Sequence, residues 1–207
     1  MKIYTMPQRS EEWFATRRGK FTASEFGDLM PSSRQGMDEF NKTQMSIIYR
    51  VASERITGNA VDPGFISGPM QWGIDHEDEA RSAFEMETGK AVHQVGFIER
   101  DEWIGCSPDG LIDEDEGLEL KCPNQNTHLR YLYEDDAFVN DYKWQCIGSL
   151  WISGRKTWNL ASFDPRFPSS KQLTRLRINA TQAEFDALEN RLSSAIAKAK
   201  EIINGTR

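Results

Sequence analysis

The chain has 207 residues, 38% hydrophobic and 28% charged, a composition that allows a globular core burying about 70% of the unfolded surface without disulfides or a structural metal. Its three cysteines, Cys106, Cys122 and Cys146, are odd in number and lack C-x-x-C spacing, which argues against a disulfide framework and a cysteine zinc site and for a reducing cytoplasm. No apolar leader follows Met1 and no long apolar run occurs, so neither secretion nor a membrane span is expected. The net charge of −7 conceals a segregation: Asp75 to Glu119 holds fifteen acidic and three basic residues, whereas Lys143 to Arg177 holds seven basic residues and one acidic residue, Asp164. On charge alone the two segments read as solvated faces of opposite sign.

In chain order, Thr22-Ala23-Ser24-Glu25 is a capping box, a hydroxyl residue three positions before a glutamate, and predicts a short helix through Leu29. Asp38 to Ile56 carries Phe40, Ile47, Ile48, Val51 and Ile56 at mostly helical spacing and stops at Gly58, which predicts a helix with a glycine C-cap. Pro69 to Thr88 reads the same way, with Gly89 as its stop. From Ala91 to Cys122 short segments rich in Val, Ile, Phe and Trp are broken by Ser107-Pro108-Asp109-Gly110 and by an acidic turn from Asp113 to Gly117, the pattern of a strand meander. Ala137 to Ser153 returns to helical character, and Lys156 to Phe163 and Leu173 to Ile178 read as strands. In the last of these, Thr174, Leu176 and Ile178 share one face and Arg175 and Arg177 the other. A second capping box, Thr181 to Glu184, opens a closing helix with Phe185, Leu188, Leu192, Ile196 and Ile203 on its apolar stripe. No repeat or linker divides the chain, so residues 1–207 are expected to form one α/β domain around a mixed sheet. Trp13, Trp72, Trp103, Trp151 and Trp158 are expected in the core.

Chemistry concentrates in Cys106-Ser107-Pro108-Asp109-Gly110 and Gly117-Leu118-Glu119-Leu120-Lys121-Cys122-Pro123. Strand alternation puts Leu118 and Leu120 on one face and Glu119 and Lys121 on the other. With Asp109 projecting beside them, two hard oxygen ligands for Mg²⁺ stand next to a lysine, and substrate phosphate and water complete such a shell. A Pro-Asp-Gly turn and an edge-strand salt pair account for the same residues without catalysis. The acidic run Asp113 to Glu116 is expected to be a solvated hairpin tip. Thr22, Ser24 and the start of their helix, with Arg17 in reach, form a candidate anion site, for which an ordinary capped helix is the plainer account.

Taken together, these residues resemble the family of bacteriophage lambda exonuclease and YqaJ-type viral recombinases, within the PD-(D/E)xK nuclease superfamily. Four ordered segments carry the resemblance: Arg17 to Glu25, Trp72 to Arg81, Cys106 to Gly110 and Gly117 to Pro123. The resemblance implies a restriction-endonuclease-like fold, a mixed central sheet flanked by helices, and a Mg²⁺ or Mn²⁺ requirement with two ions per site. It further implies processive 5′ to 3′ digestion of one strand of linear double-stranded DNA to mononucleotides, leaving 3′ single strands for recombination. A ring-shaped homotrimer, a single-strand annealing protein as partner, and a bacterial cytoplasm with phage or prophage origin follow from it.

Carried onto this sequence, Asp109, Glu119 and the Leu120 carbonyl resemble metal ligands and Lys121 the catalytic lysine. Glu77 resembles a further carboxylate from the preceding helix, its alternative being an ion pair with Arg81 four residues on. Gln145 resembles the glutamine that supports the site, while Ile147 departs from the family pattern, which has a polar residue there. Arg17, Thr22 and Ser24 resemble the 5′-phosphate pocket. His76 and His93 are expected to serve the surface or core rather than a metal. A PD-(D/E)xK endonuclease and a catalytically silent DNA-binding recombination protein are the competing readings, and the retained Asp109, Glu119 and Lys121 argue against silence.

Overall fold

The computed structural model describes residues 1–31, 35–60 and 67–205. In order they form β1 (Lys2–Tyr4), α1 (Glu11–Arg17), β2 (Phe21–Thr22), a 3₁₀ turn (Ala23–Glu25) continuing into α2 (Phe26–Leu29), α3 (Lys42–Thr57) and α4 (Gly68–Thr88). The meander follows as β3 (Phe97–Glu99), β4 (Ile104–Cys106), β5 (Gly110–Ile112) and β6 (Glu116–Lys121). Then come α5 (Gln125–Tyr133), α6 (Asp135–Ser153), β7 (Thr157–Phe163), a 3₁₀ turn (Ser169–Lys171), β8 (Leu173–Ile178) and α7 (Gln182–Ile203). The expected mixed α/β architecture is present, its hydrogen bonding divided into two four-stranded mixed sheets ordered β1-β3-β4-β2 and β5-β6-β7-β8. In the second sheet β6 pairs antiparallel with β5 and parallel with β7, with Glu119 opposite Leu160 and Lys121 opposite Ser162.

Helix α6 explains how the sheets hold together. It touches β3 and β4 of the first and β6, β7 and β8 of the second, and Cys146 to Leu150 are buried in succession. A helix enclosed on all sides over its second half cannot show a clean apolar stripe there, which is why its sequence is only weakly periodic. Helix α4 covers the opposite face of the second sheet, where Ala80 and Phe84 pack on Leu118, Leu120, Ala161 and Phe163. The alternation expected for β6 is therefore realised: its leucines face α4, and Glu119 and Lys121 face α6.

Three expectations need adjustment. The helix expected from Asp38 begins at Lys42, because Asn41 caps it: Asn41 Oδ1 accepts from Gln44 N–H at 3.1 Å and Gln44 Oε1 from Asn41 N–H at 2.8 Å. Helix α5 was not legible, since only His128 and Tyr131 of its nine residues are buried. Of the five tryptophans expected in the core, Trp103 and Trp158 are buried; Trp13, Trp72 and Trp151 are partly exposed and lie under the guanidinium groups of Arg17, Arg166 and Arg100 at 4.2, 4.1 and 3.5 Å.

The basic segment is partly neutralised in space, three of its residues by the acidic segment itself. Lys143 pairs with Glu184, Lys156 with Asp115, Arg166 with Asp164, Arg175 with Glu87 and Arg177 with Glu116, all within 3.0 Å. The expected solvated hairpin tip is accordingly correct for exposed Asp113, Glu114 and Asp115 but not for Glu116, which also binds Lys90 and Asn159. Among the described residues no helix is long and apolar enough to cross a membrane.

Candidate active site

The site is built on the β5–β6 hairpin. Asp109, just before β5, has its N–H on the Leu118 carbonyl at 3.2 Å, while its Oδ2 accepts from the Leu120 N–H at 2.6 Å. Its carboxylate is thereby fixed across the hairpin, beside Glu119. Gly117 permits the tight register here, because a Cβ at that position would stand 2.1 Å from the Trp158 ring. Glu119 is 3% exposed, and its Oε1 accepts from Lys121 Nζ at 2.7 Å and from Gln145 Nε2 at 2.5 Å. Gln145 Oε1 in turn accepts from Lys121 Nζ at 3.2 Å, so α6 closes a three-residue ring over the strand. The other oxygen of Glu119, Oε2, is buried with no hydrogen-bond partner.

Electrostatics follow from this packing. Burial, reinforced by Glu119 and Glu77, pushes Asp109 well above the usual carboxylate range. Burial also raises Glu119, against the opposing pull of Lys121 and the Gln145 hydrogen bond. Burial disfavours the charge on Lys121 too, but Glu119 and Asp109 outweigh it and hold the group above the ordinary lysine value. Lys121 is thus an ammonium at any physiological pH, suited to stabilising negative charge and not to accepting a proton.

Two carboxylates that repel and an orphaned buried oxygen fit a divalent cation. Among the described residues no three histidine, cysteine, aspartate or glutamate side chains converge as a ready-made metal cage. Magnesium does not need one, since it keeps several waters and takes substrate phosphate oxygens. Asp109, Glu119 and Leu120 line one cleft of about 580 Å³ together with Lys121, Glu77 and Tyr142.

Glu77 lines this cleft from α4, and its ion pair with Arg81 is present. Its Oε1 accepts from Arg81 Nη2 at 2.8 Å, the expected i,i+4 pair, and its Oε2 from Arg9 Nη2 at 3.0 Å. Arg81 is 9% exposed in its side chain and also donates from Nε to the Asp109 carbonyl at 3.3 Å, tying α4 to the hairpin.

Beside the cleft lies a recess of about 170 Å³ that shares Ser24, Asp109 and Glu119 with it and adds Arg17, Ser107 and Gln145. Arg17 Nη1 donates to Ser107 Oγ at 2.8 Å, and Trp13 Nε1 donates to the same oxygen at 2.9 Å. Burial lowers the Arg17 pKa to about 10, which leaves it a cation at neutral pH. Thr22 stands behind the recess and not on its wall: it is 3% exposed, and its hydroxyl donates to Glu25 Oε2 at 3.0 Å and accepts from Arg17 Nη2 at 3.4 Å. Ser24 reaches the wall because α2 approaches α6 closely at Gly148, where a Cβ would come within 2.3 Å of the Phe26 ring.

Of the nine residues that sequence reading singled out, Asp109, Glu119, Leu120, Lys121, Glu77, Gln145, Arg17 and Ser24 line these two adjoining cavities, and Thr22 does not. Ser107 and Arg9 were missed. Ser107 lay inside a quoted motif, two residues before Asp109, but only the fold shows that it faces Arg17. Ile147 is 1% exposed in the main core, so the polar residue expected at that position would here be buried among apolar neighbours. His76 pairs with Glu79 at 3.2 Å and stacks on Trp72, and His93 joins Leu111 through the backbone, consistent with roles away from a metal. All three cysteines are free thiols.

No relative is found among curated proteins. Among solved structures, an alkaline exonuclease (LHK-Exo) from Laribacter hongkongensis is 30% identical with a TM-score of 0.84, the match covering 94% of this chain and 95% of that one. The same enzyme in complex with dAMP matches with a TM-score of 0.83, at 29% identity and 94% and 95% coverage. A phage-related exonuclease from Haemophilus somnus 129PT shares the fold, at a TM-score of 0.74 and 16% identity over 91% of this chain and 96% of that one. Residues 12–156, which include both cavities' hairpin, Glu77 and Gln145, match the YqaJ-like viral recombinase domain, and the chain belongs to that family of nucleases.

Proposed function

We propose that residues 1–207 form a single nuclease domain, a divalent-metal-dependent exonuclease that digests one strand of linear double-stranded DNA 5′ to 3′ from a phosphorylated end and releases mononucleotides. The observation that carries this reading is the shared wall: the recess around Arg17 opens onto the same Ser24, Asp109 and Glu119 that line the cleft. A terminal phosphate held by Arg17, Ser24 and Ser107 sets the first phosphodiester beside the carboxylates, which converts a nuclease into an end-dependent one. The dAMP complex of the Laribacter enzyme supports a deoxynucleoside monophosphate as product.

Asp109, Glu119 and the Leu120 carbonyl would hold Mg²⁺ or Mn²⁺, as one ion or two, with Glu77 available from α4. When bound, the metal polarises the phosphoryl oxygens and lowers the pKa of water at the site. The protein's own groups do the rest. Lys121 neutralises charge developing at phosphorus, Gln145 fixes Glu119 and Lys121 relative to each other, and Arg17 holds the strand end. Members that act this way would feed recombination by strand annealing, with an annealing protein as partner, and a homotrimeric ring would keep the enzyme on its strand.

The test is digestion of a 5′-phosphorylated linear duplex beside a closed circle, with Mg²⁺ and with chelator. Mononucleotide release from the linear duplex alone, and only with metal, is expected. Cleavage of the closed circle would replace the exonuclease reading with an endonuclease, and binding without any cleavage would make the carboxylates structural.

A further inference from the structure

The turn leading into α1 carries a residue that its backbone does not favour. Ser10 N–H donates to the Pro7 carbonyl at 3.3 Å, closing a four-residue turn whose third member is Arg9. Arg9 has φ +67°, the left-handed region where a turn ordinarily places glycine. Asp113 is the other non-glycine residue with positive φ among those described, and a short aspartate tolerates it through local hydrogen bonding. Arginine has no such compensation, and strained residues that persist tend to serve the site they face.

The turn is fastened to the hairpin that carries Asp109. Gln8 Nε2 donates to the Val95 carbonyl at 3.2 Å and to the carbonyl of Pro108, the neighbour of Asp109, at 2.8 Å. Arg9 consequently enters at a fixed place, lining both the cleft with Glu119 and Lys121 and an adjoining chamber of about 460 Å³ with Glu77, Asp78 and Asp109. Among the described residues around that chamber it is the only cation. Its guanidinium rests on Glu77 at 3.0 Å, yet Glu77 does not depend on it, because Arg81 holds the other oxygen. The two arginines differ in freedom: Arg81 is 9% exposed and Arg9 45%.

We propose that Arg9 is a DNA-positioning residue of this cleft, its guanidinium held on Glu77 in the free protein and transferred to a phosphodiester oxygen of the bound strand. The inference rests on the nuclease reading above. A half-exposed ion pair with Glu77 is weak, so exchanging it for a phosphate costs little. A guanidinium fork suits phosphate, and without it the only charged side chains that line the chamber are carboxylates, which repel an anionic strand.

Arg9→Gly removes the guanidinium and relaxes the turn, and Arg9→Lys keeps a charge at the same place. Binding of a labelled 5′-phosphorylated duplex is measured by anisotropy with Ca²⁺ replacing Mg²⁺, across a salt series, beside steady-state hydrolysis in Mg²⁺. Arg9→Gly is expected to weaken binding about tenfold and to reduce the slope of log K against log salt by about one, with the kinetic loss falling on KM and not on kcat. Arg9→Lys should keep the wild-type salt slope. The melting temperature of Arg9→Gly should equal or exceed that of wild type, which separates lost binding from lost folding. An unchanged Kd and salt slope in Arg9→Gly overturns the proposal, as does a loss confined to kcat, which would assign Arg9 to holding Glu77. A wild type that leaves linear duplex intact overturns the nuclease reading instead, whereas an active wild type beside an unshifted Arg9→Gly overturns this inference alone.

Discussion

Gln145 is where the site is most open to a quantitative test. Its amide donates to the buried Glu119 oxygen at 2.5 Å and accepts from Lys121 at 3.2 Å, so Gln145→Ala removes a hydrogen bond to each charged partner at once. A hydrogen bond to an ionised group contributes about 1.5 to 3 kcal/mol, which corresponds to roughly a 10- to 150-fold loss in rate if the bond is fully expressed in the transition state. The two bonds share one side chain and one ring of partners, so their contributions are not summed. The fold should survive, since Gln145 sits on α6 at the wall of the recess and alanine favours a helix. The loss should also depend on pH. Burial raises the Glu119 pKa and the Gln145 bond lowers it, so the variant's carboxylate needs a higher pH to ionise and the deficit should be largest at the acid end. Initial rates on a linear 5′-phosphorylated duplex, measured from mildly acidic to alkaline pH at saturating metal, give both quantities. Rates within about twofold of wild type at every pH would refute the argument, because Glu119 would then be oriented by Lys121 alone.

Asp109→Asn should abolish hydrolysis yet raise the melting temperature of the metal-free protein at neutral pH. Burial first, then Glu119 and Glu77, raise the Asp109 pKa, so the stability linked to it is complete below the unfolded-state value and lost as pH rises through the folded one; the variant's advantage should vanish in acid, and a variant less stable than wild type at neutral pH contradicts the assignment. Arg17→Ala should erase a preference for 5′-phosphate over 5′-hydroxyl ends, a loss of about 10- to 150-fold in discrimination, with metal affinity retained; an undiminished preference in initial rates places the pocket elsewhere. Sedimentation at micromolar concentration should give roughly three times 23.7 kDa if a ring forms, and a monomer with undiminished processivity argues against it.

Local signals determined a large part of this protein. Glycine stops at Gly58 and Gly89 end α3 and α4 where expected, both in the left-handed conformation, and Leu173–Ile178 is a strand at its expected bounds with Arg175 and Arg177 outward. The alternation in β6 put Glu119 and Lys121 on one face before any fold was known, because strand geometry has a period of two whatever surrounds it. The apolar pattern misplaced one boundary, at α3, whose start is set by the Asn41 capping box inside that pattern.

Long-range packing decided the rest. The place of Glu77 in the cleft follows from Arg81 reaching the Asp109 carbonyl, and its contact with Arg9 spans 68 positions; neither has a periodic signature. Thr22 was expected in the anion site and Ser107 was not, yet both carry hydroxyls on Arg17, and only the tertiary structure shows that Ser107 lines the recess while Thr22 does not. The charge blocks of the sequence suggested faces of opposite sign, whereas folding set Arg175 on Glu87 and Arg177 on Glu116. Periodicity reports which way a side chain leaves its own element, and the identity of what it then meets is set by contacts between residues far apart in the chain.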